Sequence, residues 1–207
     1  MRSAEPFRHQ ALLYAGEEDF VARTSAFIRD GLAAHEPTMV VVAPRKIALL
    51  REALGADRDA VYFADMSKVG RNPARIIPAW QTFVDRNAAP GVMLRGIGEP
   101  VVPERRPDEL LECQLHESLL NVAFADTGSF WLVCPYDVES LPAEVIEEAR
   151  RSHPVVAHRG WYERSAGFDP AGPAVAPLPA PPAEARTLEF DVSNVSDVPG
   201  FVAEYVN

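Results

Sequence analysis

Four short strings carry most of the side chains here that could do chemistry. They are His9-Gln-Ala-Leu-Leu-Tyr14, Arg95-Gly-Ile-Gly-Glu99, His116-Glu117 with Asn121, and Cys134-Pro-Tyr-Asp137. Imidazole and carboxylate groups move protons or hold metals, and an ionised thiol is a nucleophile or a metal ligand. Tyrosine offers a polar tip on an apolar ring. Three of the strings border apolar runs that read as buried strands, and the other lies on a helix. In an open α/β sheet, ligands bind in the crevice at the carboxyl ends of the strands. The candidate site is therefore Tyr14, Arg95, Glu99, His116, Glu117, Cys134 and Tyr136. No complete catalytic motif joins them, which points to a sensor more than to an enzyme.

Each chemistry was weighed against its plainest alternative. A phosphate loop needs G-x-x-x-x-G-K-[ST] after the first strand. Here Gly16 is followed by Glu17, Glu18 and Asp19, with no second glycine and no lysine through Thr24, so the acids repel phosphate. Gly96-Ile-Gly98 is too short for a dinucleotide fingerprint. Glu109, Glu112, Cys113 and His116 share a helix face at metal-ligand spacing, yet they read as a solvated polar face. No metal ligand is assigned. Cys134 stands at a strand end, where a small buried thiol and a ligand-lining one are both open readings. Arg95 needs a partner if buried, either a ligand or Glu99 or Glu117. Trp131 and Trp161 are expected in the core, and Trp80 in the core or at its rim. Arg150, Arg151 and His153 end a helix, where cations complement its dipole.

Strands and helices alternate along residues 11–161. Apolar runs at 11–15, 38–43, 60–64, 91–94, 129–134 and 155–157, reaching as far as Trp161, predict strands. Helices are expected from Gly16 through Leu32, over 46–54, 72–87 and 109–124, and from Pro142 to 152. Leu111, Leu115, Leu119 and Val122 form the expected apolar stripe of the 109–124 helix. This order implies an α/β fold with a mainly parallel sheet and helices on both faces.

The chain has 207 residues and is 47% hydrophobic, enough for one domain and a fragment of another. A net charge of −10 argues against nucleic-acid and anionic-membrane partners. Two cysteines and no leader-like start lead us to expect a cytoplasmic protein. Residues 169–186 are rich in Pro and Ala and read as an extended linker. Residues 187–207 open like a strand and a helix, which cannot bury an apolar face alone, so a second domain is expected to start there.

In order, His9, Leu13-Tyr14, Arg95, Gly98-Glu99, Glu117, Asn121, Cys134, Tyr136-Asp137 and His153-Pro154 resemble the MEDS family of sensory domains, over residues 7–163. The resemblance implies a degenerate RecA/KaiC-like fold without a P-loop. It also implies sensing of small, often hydrocarbon-derived molecules, with the signal passed to an attached output domain. One departure is His116 before Glu117, where the family leads us to expect an aromatic residue. Residues 188–192 and the helix after them resemble the opening of a GHKL-type anti-sigma-factor kinase domain. That implies a stress-response regulator whose output domain meets a sigma factor or an anti-anti-sigma protein.

The expectation is a non-enzymatic sensory domain (1–168) without a cofactor. It takes a small-molecule effector or a partner at the carboxyl edge of the sheet, and a homodimer is allowed. The alternatives are a docking module without a ligand, or a residual metal- or thiol-dependent enzyme.

Overall fold

The computed structural model describes residues 7–158 and 160–170. Most of the expected linker, and all of the expected second-domain start, lie outside the described residues. The strands are β1 (Arg8–Tyr14), β2 (Thr38–Val42), β3 (Val61–Asp65), β4 (Leu94–Gly98), β5 (Phe130–Asp137), β6 (Val155–His158) and β7 (Trp161–Arg164). They form one sheet in the order β3-β2-β4-β5-β1-β6-β7. The first six run parallel, and β7 returns antiparallel on β6. This is the expected α/β architecture.

Helices α1 (Gly16–Ala33) and α2 (Pro44–Leu54) cover one face. Beneath them lie Leu12, Tyr14, Val40, Val42, Ile97 and Val133. The opposite face carries α4 (Ile76–Asn87), α5 (Pro107–Ala123) and α6 (Ala143–Ser152), after a short α3 (Met66–Val69). Ala11, Leu13, Leu132, Cys134 and Tyr136 point toward this second group. Strand side chains alternate between faces with a period of two, so residue parity decides the face. Both faces are covered, which is why the strands read as unbroken apolar runs.

Gly16 makes the turn from β1 into α1 at φ +75°, a conformation that favours glycine. The acids of the first turn, Glu17, Glu18 and Asp19, suit the positive end of α1.

Several expectations need correction. The fourth strand is Leu94–Gly98, later than the expected 91–94, so Arg95 lies near its amino end and Glu99 just past its carboxyl end. Its two glycines, which resemble a loop signal, seat an indole. A Cβ on Gly96 would lie 3.0 Å from the Trp80 ring, and one on Gly98 would lie 2.9 Å from it. Trp80 is buried as allowed, and Trp131 is partly buried. Trp161 is 80% exposed, because it lies on the edge strand β7.

The largest correction concerns α5. Leu111, Leu119 and Val122 are exposed, whereas Cys113, His116, Glu117 and Leu120 face the sheet. Both sets recur at helical spacing, so periodicity alone does not choose between them. The polar face is buried because histidines from other elements meet it.

Candidate functional site

The sheet's two faces divide the predicted residues into separate groups. His116, Glu117, Cys134 and Tyr136 collect beneath α5 and α6. Tyr14, Arg95 and Glu99 lie on the α1–α2 face, Arg95 apart from the other two.

At the carboxyl edge, the end of β1 meets the start of α2. The Tyr14 hydroxyl donates to Glu99 Oε1 at 2.7 Å. Lys46 Nζ donates to both Glu99 oxygens, at 2.6 and 2.7 Å, and to the Tyr14 hydroxyl at 2.5 Å. Burial pushes the Glu99 carboxyl up despite the ammonium, and burial also raises the Tyr14 phenol. Lys46 was missed from sequence because it sits in an unremarkable amphipathic helix.

Arg95 lies at the other end of the sheet. Its guanidinium pairs with Glu36, donates to the Phe27 carbonyl at 2.9 Å, and rests on the Phe27 and Trp131 rings. It packs so tightly against α1 that a Cβ on Gly31 would lie 2.6 Å from its Cδ. The ion-pair partner is thus Glu36, and neither Glu99 nor Glu117.

The third group is the most unusual. His9 of β1, Glu117 of α5, Cys134 of β5 and His153 at the end of α6 bring their donor atoms within 4.8 Å of one another. His9 Nε2 is 3.2 Å from Glu117 Oε2 and 3.4 Å from Cys134 Sγ. His153 Nε2 is 3.3 Å from the same carboxylate oxygen, and it has no hydrogen-bond partner among the described residues. Glu117 Oε1 likewise has none. All four residues are buried.

The outer partners fix both imidazole tautomers. Asn121 Nδ2 donates to the Ser152 carbonyl at 2.8 Å, which turns Asn121 Oδ1 toward His9 Nδ1 at 3.1 Å. An amide oxygen only accepts, so His9 Nδ1 carries the hydrogen. His153 Nδ1 lies 2.8 Å from the Ala149 carbonyl and carries its hydrogen for the same reason. Both Nε2 lone pairs therefore face Glu117 and Cys134.

Burial lowers His9 to about 4, with the nearby His153 adding to the effect. Burial opposes ionisation of Glu117, but its contacts with His153 and His9 hold it below the usual carboxylate range. Burial raises the Cys134 thiol well above its ordinary value, and the Glu117 charge adds to that. A thiol so placed lacks the lowered pKa of a reactive nucleophile. Tyr136 sets its ring edge-on to His153, with centroids 5.6 Å apart. His116 is buried next to Glu117, its Nδ1 without a hydrogen-bond partner among the described residues.

His9 and His153 lie outside the expected site, although both are among the positions that carry the family resemblance. As a helix-end residue His153 does bond the last turn of α6, but with Nδ1 only. The expected face of Glu109, Glu112, Cys113 and His116 does not converge. Glu112 is exposed, while Cys113 turns inward to the Pro100 carbonyl at 3.5 Å.

A cavity of about 840 Å³ opens at the amino ends of β1, β5 and β6. Its wall includes Phe7, His9, Trp131, Val155, Tyr162 and Phe168. His9 thus borders both the cavity and the buried cluster.

The chain is thus an open, mainly parallel α/β domain that carries a buried His/Cys/Glu cluster and no phosphate-loop sequence after β1. The chain belongs to the MEDS family, the MEthanogen/methylotroph, DcmR Sensory domain, whose family model matches residues 8–154. The match ends before β6, short of the expected 163. Membership assigns the chain a sensory, regulatory role. No curated protein matches the chain. Among the described residues, no helix is long and apolar enough to cross a membrane.

Proposed function

We propose that this chain is the input part of a bacterial signalling protein. It binds a small organic effector in the 840 Å³ cavity at the amino edge of the sheet, and it controls an output domain that follows. The observation that carries this reading is the place of His9. His9 is part of the cavity wall, and its Nε2 belongs to the cluster gripped by α5 and α6. An effector that shifts His9 has a direct physical route to two helices. The cavity's size and its mix of aromatic walls with a few polar groups suit a small, largely apolar molecule. At the carboxyl edge, by contrast, Tyr14, Lys46 and Glu99 already satisfy one another.

The output is of the anti-sigma-factor regulator type, with a sigma factor or anti-anti-sigma protein as its partner, and the sensory part performs no catalysis. The test is a thermal-shift titration with small alcohols, amines and halogenated alkanes. Saturating effector at 100 times its Kd adds about 2.7 kcal/mol of stability. A shift that vanishes in Val155→Trp, which fills the cavity, supports the reading. An equal shift in that variant places the effector elsewhere.

A second reading, a docking module, is favoured by the exposed Leu111, Leu119 and Val122 on α5. Loss of partner capture in Leu119→Glu, with effector response intact, supports it.

A further inference from the structure

The buried cluster brings four metal-type donor atoms together and leaves His153 Nε2 and Glu117 Oε1 without a hydrogen bond among the described residues. Glu117 is fully buried, and its ion-pair partners among the described residues are two histidines. Both present bare Nε2 lone pairs, because their hydrogens are committed to Asn121 and to the Ala149 carbonyl. While both imidazoles are neutral, these lone pairs repel the carboxylate, and only a positive charge placed among the donors, a proton or a metal ion, turns the contacts favourable. The Cys134 S–H can donate to His9 Nε2 at 3.4 Å, but that leaves His153 Nε2 and Glu117 Oε1 unmet. A buried polar atom without a partner is unfavourable, the more so where charge is involved.

A bound cation removes all of these costs together. Two imidazole nitrogens, one carboxylate oxygen and one sulfur are the donors zinc takes, at about 2.0–2.3 Å in a tetrahedron. Such a tetrahedron has edges of roughly 3.3–3.6 Å. The contacts here, 3.2, 3.3 and 3.4 Å, come close to that. A divalent ion with one thiolate and one carboxylate is a neutral unit, which suits a buried site. The outer shell fits as well, since metal-bound histidines donate their second N–H to a carbonyl or a similar acceptor. His9 also borders the open cavity, which supplies a route of entry.

We propose that His9, Glu117, Cys134 and His153 bind a zinc-type divalent cation through both Nε2 atoms, the Glu117 carboxylate and the Cys134 sulfur. On binding, the Cys134 S–H bond breaks, a sulfur–metal bond forms, and the proton leaves to solvent. Four protein donors leave no coordination position for the water a hydrolase needs, so the cation ties β1, β5, α5 and α6 together. The site goes beyond the organic-effector reading and does not depend on it.

The test uses the full chain, stripped with a chelator and titrated with cobalt(II). One equivalent is expected to give intense tetrahedral visible bands and a near-ultraviolet thiolate-to-cobalt charge-transfer band, both bleached by zinc. Cys134→Ser removes the charge-transfer band and Cys113→Ser keeps it. His153→Gln and Glu117→Gln weaken binding at least tenfold. Weak octahedral bands in the wild-type chain, or a charge-transfer band that follows Cys113, would overturn the proposal. Should Cys134→Ser fail to fold, zinc-edge X-ray absorption on the wild-type chain decides without any variant. One sulfur with nitrogen and oxygen in the shell supports the site, and a sulfur-free shell sinks it. Cobalt spectra need no organic effector, so this result is separable from the thermal-shift result.

Discussion

Among the described residues two glutamates are buried, one on each face of the sheet, and they are supported in opposite ways. Glu99 has an ammonium from Lys46 on both oxygens and a phenol from Tyr14 on one of them. Among the described residues Glu117 has imidazoles as its ion-pair partners, and one of its oxygens has no hydrogen bond. The first arrangement is complete within the protein. The second makes sense as half of an interaction. A buried polar network whose members are all satisfied acts as structure. One whose metal-type donors converge with two atoms unmet is the kind of site that the proposed cation completes.

The comparison breaks most directly at Lys46. Lys46→Met leaves Glu99 buried without a permanent cation, and should cost about 3–5 kcal/mol in urea unfolding. Glu117→Gln in the chelator-stripped chain should cost less, because its partners are imidazoles, which carry a charge only when protonated. Equal losses from the two changes would mean that the two glutamates are supported alike.

Chelation sharpens the comparison next. Adding zinc at 100 times its Kd should stabilise the stripped chain by about 2.7 kcal/mol, read as a rise in Tm. The rise should survive Tyr14→Phe and disappear in Cys134→Ser. Arg95→Ala should cost about 1.5–3 kcal/mol through its lost charged hydrogen bonds, with the effector-induced thermal shift unchanged. A shift lost along with Arg95 would return that residue to the ligand site.

The smallest expected effect is one of pH. Burial raises Glu99 above its ordinary value of 4.5, so the folded chain holds that proton more tightly than the unfolded chain does. Its contribution is fully present below pH 4.5 and is lost as pH rises through the raised value. Urea midpoints across pH should show this decline in the wild type and not in Glu99→Gln.

Much of the architecture was legible in the sequence, because alternating apolar runs and capped helices leave local marks. The strand positions at 38–42 and 155–157 needed nothing else. The fourth strand was placed too early because Gly96 and Gly98 look like a turn, and only the Trp80 ring lying over them explains their presence in a strand. Trp161 misled for the opposite reason, since a large aromatic ring suggests a core, and β7 happens to be an edge.

Residue types and order were enough to determine the family and the lack of a phosphate loop, but Cys134, expected at a strand end, lies within β5, and Glu117 lies within α5. Tertiary structure alone decided which side chains meet. A strand's period of two assigns its side chains to alternate faces, but an unbroken apolar run conceals which face is which. A helix with two stripes of equal period turns inward whichever stripe finds partners. On α5 those partners are His9 and His153, more than one hundred residues and about thirty-five residues away from Glu117 in the chain. Local patterning carries no record of such distant lone pairs, and so the cluster appears only once the chain is folded.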